Sequence, residues 1–307
     1  MHPYIALLTE NIEKVIIGKT DTVTMVIGAL LCGGHVLIED VPGVGKTQLV
    51  IALAQSIGGR FNRIQLTPDI MPSDIVGFSM PNMVTKEFEY KPGAAMCNFL
   101  LADEINRASP KVQSSLLEVM EERQVTVDAH TFILPRPFMT LATQNPVETF
   151  GTYHLPEAQM DRFLLKVSLG YLEPDVEIQL LDRRITEQTG VNLSAVLTEA
   201  HIVHMQEEVQ NIKSHDVIKE YIIQLVAATR NNEYIKLGVS PRGSIGLHNM
   251  AKALAFINGR EFITPDDVLK CAVPVLAHRM ILSQRGKGVY KTTRAAVENL
   301  VETIPKP

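Results

Sequence analysis

The sequence has few cysteines and no excess of basic residues, and each absence excludes a class of protein. Its three cysteines, Cys32, Cys97 and Cys271, are far apart and include no C-x-x-C pair. A disulfide framework or a zinc site is therefore not expected, and a reducing compartment is favoured. The 34 acidic residues outnumber the 29 basic ones, which gives a net charge of -5. Bulk charge thus gives no indication of a nucleic-acid or membrane-surface partner, although a local basic groove is compatible with it.

Long apolar runs are missing as well. The N-terminal segment MHPYIALLTENIEK lacks the basic region and the continuous apolar run of a signal peptide. The most apolar stretch, residues 23–38, is interrupted by Thr24, three glycines and His35. A buried helix followed by a strand explains that stretch better than a membrane span does. We therefore expect a cytoplasmic protein without a transmembrane segment.

Three short apolar runs, each followed by polar residues or a glycine loop, predict the strands of a parallel sheet. They are HVLI at residues 35–38, NFLLA at 98–102 and FMTLAT at 138–143. Strands buried on both faces have nearly continuous apolar sequences, and functional groups collect at their carboxyl ends. Helical patterns lie between the runs, including residues 109–122, where Ser109 is the expected N-cap.

Two further segments predict hairpins. In residues 124–134, QVTV and TFIL flank a DAH turn, and KEFEYKPG at residues 86–93 alternates aromatic and charged side chains before a Pro-Gly turn. After about Gly170 the strand patterns fade. The five segments that follow are predicted to be helical, and they are residues 175–185, 194–212, 214–230, 240–259 and 264–281.

The 307 residues are enough for one large or two smaller domains. Gly170 and Pro174 mark a linker between the two halves. We therefore expect an α/β domain at residues 1–172 and a helical domain at residues 173–307.

The segment EDVPGVGKTQLV, residues 39–50, follows the first predicted strand and looks like a phosphate-binding loop. The usual pattern is G-x-x-x-x-G-K-[ST], and here Asp40 stands at the first position, where its side chain has room to point outward. The other residues fit the chemistry, since glycines let backbone N–H groups surround phosphate oxygens and the following helix adds a positive dipole end. Lys46 would reach the β- and γ-phosphates, and the Thr47 hydroxyl would hold Mg²⁺.

The next two predicted strands end in side chains that suit nucleotide hydrolysis. Asp103 would orient a Mg²⁺-bound water, and Glu104 would be the general base for the attacking water. The alternative is a pair of solvated acids, which the preceding loop disfavours. Asn145, after the third strand, would reach the γ-phosphate and the water; its alternative role is that of a turn residue before Pro146.

Two arginines are further candidates. Arg162 in EAQMDRF and Arg242 in SPRG carry the planar guanidinium that suits phosphate recognition. Spacing alone places neither near a phosphate, and a surface or salt-bridged arginine is the default interpretation.

Taken together, these segments resemble the MoxR family of AAA+ ATPases. The resemblance rests on EDVPGVGKT, LLADEINRASPKVQSSLLEVMEE, ATQNPVETFGTYHLPEAQMDRF and GVSPRG, in the family's order and spacing. It implies an αβα P-loop domain with a parallel sheet, followed by a small all-helical lid. It also implies that Asn145 is sensor 1, Arg162 the arginine finger and Arg242 sensor 2, and that Ile17 and Gly18 lie near the adenine. With the loop, the candidate nucleotide-binding residues are Ile17, Gly18, Pro42, Gly43, Val44, Gly45, Lys46, Thr47 and Gln48.

The resemblance further implies an ATPase that uses Mg²⁺ and assembles as a ring, commonly a hexamer. Members of the family act like chaperones on partner proteins, often ones with von Willebrand factor A domains, in cofactor insertion or complex maturation. Two alternatives remain. One is a DNA-translocating or helicase-like motor, which the net charge disfavours. The other is a nucleotide-dependent scaffold with little turnover, which the presence of Glu104, Asn145 and Arg162 disfavours.

Overall fold

The computed structural model describes residues 1–145, 153–178 and 193–307. Its strands in chain order are β1 (Val36–Glu39), β2 (Phe61–Gln65), β3 (Gly77–Pro81), β4 (Phe88–Pro92), β5 (Phe99–Asp103), β6 (Gln124–Val127), β7 (His130–Ile133), β8 (Met139–Gln144), β9 (Leu165–Val167), β10 (Ile235–Leu237) and β11 (Ile281–Leu282). Its helices are α1 (Pro3–Glu13), α2 (Thr20–Leu31), α3 (Lys46–Ile57), α4 (Pro72–Val76), α5 (Pro110–Glu122), α6 (Glu157–Met160), α7 (Glu199–Gln210), α8 (Asp216–Arg230), α9 (Pro241–Ile257), α10 (Pro265–Leu276), α11 (Gln284–Tyr290) and α12 (Thr293–Thr303).

The central sheet has five parallel strands in the order β2-β5-β8-β1-β9. The three strands predicted from apolar runs, β5, β8 and β1, are its central neighbours, which confirms the α/β prediction. The two edge strands were not predicted. An edge strand is covered less completely, so its sequence can be polar: β2 reads FNRIQ, and only Ile64 in it is buried.

Two hydrophobic cores cover the two faces of this sheet. The division follows strand geometry, in which successive side chains point to opposite faces. Val36 and Ile38 of β1 belong to the larger core, while Leu37 between them belongs to the smaller one. The larger core continues through α1, α2 and α3 into the C-terminal helices α7 to α10, whereas α5 covers the opposite face. Each face is thus closed by helices, and the carboxyl ends of the strands are left to form a site.

The hairpin at residues 124–134 is confirmed as β6 and β7. The second predicted hairpin is only half of the observed one. Its residues form β4, which pairs antiparallel with β3 upstream, so the hairpin turn precedes the aromatic strand. Tyr90 of β4 stacks on Phe132 of β7 with ring centroids 3.9 Å apart, and this contact joins the two hairpins.

The helical prediction for the C-terminal half is confirmed by α7 to α10. Residues 174–178 are helical, and the rest of the predicted helix at 175–185 lies outside the described residues. A short antiparallel pair, β10 and β11, adds to the helices. Across the described ranges, no helix combines the length and apolar character needed to cross a membrane.

Candidate functional site

The loop at residues 40–45 connects β1 to α3 at the carboxyl edge of the sheet. Gly43 and Gly45 have φ angles of 88° and 92°, which favour glycine over other residues. A Cβ at either position would meet no atom within 4 Å, so backbone conformation rather than crowding explains these glycines. Gly45 is the N-cap of α3, and the loop therefore presents its backbone beside the positive end of that helix.

Lys46 is the first residue of α3 and folds back across the loop. Its Nζ donates hydrogen bonds to the carbonyl oxygens of Asp40 and Val41, at 2.9 and 3.0 Å. The ammonium group is thus held over the loop where it would meet a phosphate. Thr47 follows in the first helical turn and is half-buried.

Asp40 does not point outward, so that expectation was wrong. Its side chain is buried, and Oδ2 accepts hydrogen bonds from Ser168 Oγ and from the backbone N–H groups of Leu169 and Gly170, at 3.1, 2.6 and 2.9 Å. A buried carboxylate requires such donors, because desolvation without them is costly. The residue that departs from the usual pattern therefore ties the loop to the segment after β9.

A cavity of about 330 Å³ opens between the loop and that segment. Among the candidate residues, Ile17, the loop from Pro42 to Gly45, and Gln48 line it. Gly18 lies next to Ile17 with φ 69°, and a Cβ there would be 3.3 Å from Val176. The other lining residues are Val15, Ile16, Lys19, Leu169, Gly170, Tyr171, Leu172 and Glu177.

Sequence reasoning missed the lining at residues 169–172 and Glu177. Residues 169–172 lie at the predicted linker and Glu177 just after it, and no motif spacing marks them as part of a site. The only local signal was Gly170, which was interpreted as a domain boundary. Its backbone N–H is in fact one of the donors to Asp40.

Asp103 ends β5 and is buried. Its Oδ1 accepts a hydrogen bond from Thr143 Oγ1 at 3.1 Å, and its Oδ2 forms an ion pair with Arg63 Nε at 2.7 Å. Thr143 lies on the adjacent strand β8 and also accepts a hydrogen bond from the backbone N–H of Glu104 at 2.9 Å. One hydroxyl therefore fixes both acids, a role that its place in an apolar run did not reveal.

Glu104 has the left-handed backbone conformation, with φ 58° and ψ 52°. That conformation costs a non-glycine residue about 1–3 kcal/mol and is concentrated at functional sites. The side chain is partly exposed, and its Oε2 pairs with Arg107 Nη1 at 3.0 Å. Holding the Glu104 backbone in this conformation therefore costs folding free energy, and it sets the direction of the carboxylate.

Asn145 immediately follows β8 and is buried. Glu39 of β1 lies opposite Gln144 in the parallel ladder, and the Asp40 N–H donates to the Gln144 carbonyl at 3.1 Å. The start of the glycine loop and Asn145 are therefore neighbours at one edge of the sheet. Pro146, which entered the alternative interpretation of Asn145, lies outside the described residues.

The two arginine candidates lie together, but not at this cavity. Arg162 and Arg242 both form ion pairs with Glu121 near the end of α5, at 3.0 and 2.7 Å. Neither lines the cavity in the part of the chain that the structure describes. Within this one chain, both are the salt-bridged arginines of the default interpretation.

The residues present fit a nucleotide with a magnesium ion. Ile16, Ile17 and Leu169 give the cavity an apolar wall suited to a base, and the glycine loop forms its polar end. The Thr47 hydroxyl and the Asp103 carboxylate are hard oxygen groups of the kind that Mg²⁺ prefers.

Comparison with known proteins gives the same picture over the whole chain. Residues 35–165 match the ATPase family associated with various cellular activities (AAA), and residues 227–300 match the AAA lid domain. The chain is 48% identical to YeaC of Bacillus subtilis (strain 168), described as uncharacterized, over 100% of this chain and 96% of that protein. It is 39% identical to Chaperone MoxR1 of Mycobacterium tuberculosis, over 97% of this chain and 81% of that protein.

A crystal structure of a candidate ATPase from Cytophaga hutchinsonii superimposes with a TM-score of 0.91 at 37% identity. The match covers 99% of this chain and 95% of that one. The fold, the glycine loop and these full-length similarities agree, and the chain belongs to the MoxR family of AAA+ ATPases.

Proposed function

We propose that this chain hydrolyses ATP to ADP and phosphate with Mg²⁺ and couples hydrolysis to the remodelling of client proteins, as a MoxR-type chaperone. The observation that carries the proposal is one arrangement of residues. A glycine loop, followed directly by Lys46 and Thr47, opens on a cavity with an apolar wall, and β5, two strands away from β1 in the sheet, ends in Asp103 with Glu104 next to it.

Each of these side chains has a definite part in the proposed reaction. The loop N–H groups and Lys46 would bind the phosphates, and Thr47 and Asp103 would hold the metal ion. A bound Mg²⁺ would neutralise phosphate charge. Glu104 accepts a proton from the attacking water, and it must exchange its contact with Arg107 for that water. Asn145 orients the water from the neighbouring strand.

The arginines have a part only if a second copy of the chain supplies them. Arg162 and Arg242 are held on α5 and contribute nothing to the lining of their own chain's cavity within the described residues. We propose that they complete the site of a neighbour in a ring, which we expect to be a hexamer. An arginine supplied across an interface in this way can be worth roughly 10³–10⁵ in rate.

A protein client is favoured over DNA by an exposed apolar surface on the hairpin β3–β4 and its turn. Met83, Val84 and Phe88 are 87%, 91% and 77% exposed, and the charge of the chain is negative overall. We propose a client or adaptor with a von Willebrand factor A domain, and maturation or cofactor and metal insertion as the task. Retention of DNA on a filter at two salt concentrations would instead support the motor alternative.

We also propose a cytoplasmic location and a functional division near residue 172. The division separates an ATP-binding domain at residues 1–172 from a lid at residues 173–307. The two parts differ in proposed function but do not have separate hydrophobic cores, because the larger core includes residues from both parts.

Two variants separate binding from hydrolysis and test the proposal. Lys46→Ala should weaken ATP affinity roughly 10- to 100-fold, because a charge-assisted contact worth about 1.5–3 kcal/mol is lost. Glu104→Gln should bind ATP normally but turn it over roughly 10²–10⁴ times more slowly, because the proton acceptor is removed. Calorimetry measures the first effect, and phosphate release measures the second.

Lys111→Ala is the matched control, since Lys111 is exposed at the start of α5 and should affect neither quantity. Unchanged affinity in Lys46→Ala would remove the loop from the site. Undiminished turnover in Glu104→Gln would mean that another group is the base.

A further inference from the structure

We propose that Glu121 is a positioning residue that joins Arg162 and Arg242 into one unit of two guanidinium groups, aimed at the phosphates in a neighbouring copy. The inference rests on the proposed function, because it requires the arginines to act across a subunit boundary. It adds a residue to which the sequence analysis assigned no role.

The geometry divides the Glu121 carboxylate between the two arginines. Oε1 accepts a hydrogen bond from Arg242 Nη2 at 2.7 Å, and Oε2 pairs with Arg162 Nη1 at 3.0 Å. The same Nη1 of Arg162 also donates to the Leu117 carbonyl at 2.9 Å, one turn earlier in α5. Two guanidinium groups this close repel each other, and the shared carboxylate is what keeps them together.

A second carboxylate fixes the backbone segments that carry these arginines. Asp161, next to Arg162, accepts hydrogen bonds from Ser240 Oγ and from Arg279 Nε, both at 2.8 Å. Ser240 is the N-cap of α9, which carries Arg242 in its first turn. The two segments are therefore anchored to each other, and only the long arginine side chains need Glu121 to set their direction.

Folding stability does not explain this arrangement. Glu121 lies in the last turn of α5, where a negative charge is unfavourable with respect to the helix dipole. The side chains of Glu121, Arg162 and Arg242 are 39%, 33% and 48% exposed, and such exposed pairs contribute little to stability. The same exposure leaves the guanidinium groups accessible to a phosphate from outside the chain.

The helix α5 also gives Glu121 a place between two sites. It begins just after the turn that follows Asp103 and Glu104, and its 13 residues span about 20 Å. One end of α5 is thus close to the acids of its own site, and the other end holds the arginines proposed for the next site.

Mixed assemblies test Glu121 on each side of the interface. Lys46→Ala subunits keep their arginines but lack a working loop, and Arg162→Ala subunits keep the loop but lack the arginine. Their mixture should recover phosphate release at the interfaces where an intact loop faces an intact arginine. Glu121→Gln is then added either to the Lys46→Ala donor or to the Arg162→Ala acceptor.

We expect the donor placement to lower the recovered turnover roughly 10- to 100-fold, because displaced catalytic groups cost that much. The acceptor placement should change it less than about twofold, and nucleotide affinity should not change in either, because the loop is untouched. Glu121→Asp in the donor keeps the charge on a shorter side chain and should recover part of the lost turnover. If Glu121→Gln does not fold, Glu121→Asp takes its place. Glu122→Gln is the matched control, since Glu122 is exposed and forms none of the ion pairs found among the described residues.

The outcomes separate the two proposals. If assemblies form but the mixture of Lys46→Ala and Arg162→Ala subunits recovers no turnover, the arginines do not act in trans. That result overturns both the proposed action of the arginines across the interface and the proposed role of Glu121. If the same mixture is active, and Glu121→Gln in the donor leaves turnover unchanged or lowers it equally in both placements, the role of Glu121 alone is overturned.

Discussion

At the scale of single residues, Asp40 connects the phosphate loop to the cavity. Its carboxylate accepts three hydrogen bonds from the segment after β9, and that segment forms one wall of the cavity. A glycine at this position, as in the usual loop pattern, could make none of these contacts. The loop is therefore held in place by the side chain at which the sequence departs from the usual pattern.

We predict that Asp40→Asn destabilises the chain by about 1–3 kcal/mol. Oδ1 accepts from the Val41 N–H at 3.2 Å and Oδ2 from the Leu169 and Gly170 N–H groups, so an amide NH₂ in either place would face a backbone donor. Nucleotide affinity should fall with it, since the loop and the cavity wall lose their connection. Urea unfolding and calorimetry measure the two effects. Asp69→Asn, at an exposed position, should change neither, and equal stability of the two variants would contradict this account.

The candidate site could be predicted from the sequence only where its chemistry is local. Lys46 and Thr47 follow the glycines directly, and Asp103 and Glu104 follow an apolar run, so spacing alone identified them; their roles remain predictions. Glu121 could not be identified in this way, because its partners are 41 and 121 positions away along the chain. Such contacts depend on the tertiary fold and leave no periodic signal in the sequence.

At the scale of secondary-structure elements, a buried histidine joins β1 to α5 and β8. His35 Nδ1 accepts a hydrogen bond from the Thr140 N–H, and Nε2 donates to the Met120 carbonyl, each at 2.9 Å. This pattern requires the neutral imidazole, because a proton on Nδ1 would face the Thr140 N–H. Burial lowers the pKa of His35 to about 4, and the charge of Arg123 acts in the same direction.

We predict that the free energy of unfolding falls as the pH is lowered from about 6.5 towards 4. The unfolded histidine takes up a proton near pH 6.5 and the folded one only near pH 4, so between these values the unfolded state binds more protons. The stabilisation from neutral His35 is complete above that window, and its loss approaches about 1.4 kcal/mol per pH unit within it. His278, whose pKa burial also lowers, adds to the effect in the same direction.

Urea unfolding at about pH 7, 6 and 5 measures this dependence. His35→Gln should be less stable than the unmodified chain at pH 7 but should lose less stability on acidification. His204→Gln is the control for replacing an exposed histidine, because that side chain is 69% exposed on α7. Equal slopes for His35→Gln and the unmodified chain would contradict the prediction.

The elements that could be predicted are those whose burial is one-sided or complete. The central strands β1, β5 and β8 are buried on both faces and stand out as apolar runs, and the C-terminal helices show helical periodicity. The edge strand β9 has only three residues, and its identity depends on pairing with β1 rather than on its own composition. The partner of β4 was missed for the same reason, since β3 is a five-residue segment whose place in the hairpin depends on pairing with β4.

At the scale of the whole molecule, the two parts of the proposed active site do not meet within the described part of one chain. The cavity lies between the loop and the segment after β9, while Arg162 and Arg242 are anchored on α5 by Glu121. Asp161 and Arg279 hold the arginine segment rigidly, because Arg279 is buried and also donates to the carbonyls of Phe163 and Leu164. A side chain so constrained would serve a neighbour's site more readily than its own.

We therefore predict that turnover per chain rises with protein concentration and becomes constant once assembly is complete. Phosphate release and sedimentation measured on the same samples should give midpoints at the same concentration, because each interface formed completes one site. Arg162→Ala should assemble over the same range with turnover roughly 10³-fold lower, since the loss of a finger arginine removes charge stabilisation in the transition state. Turnover per chain that stays constant while the assembly state changes would show that one chain holds a complete site, and Arg162 would then serve only to hold its segment against α5.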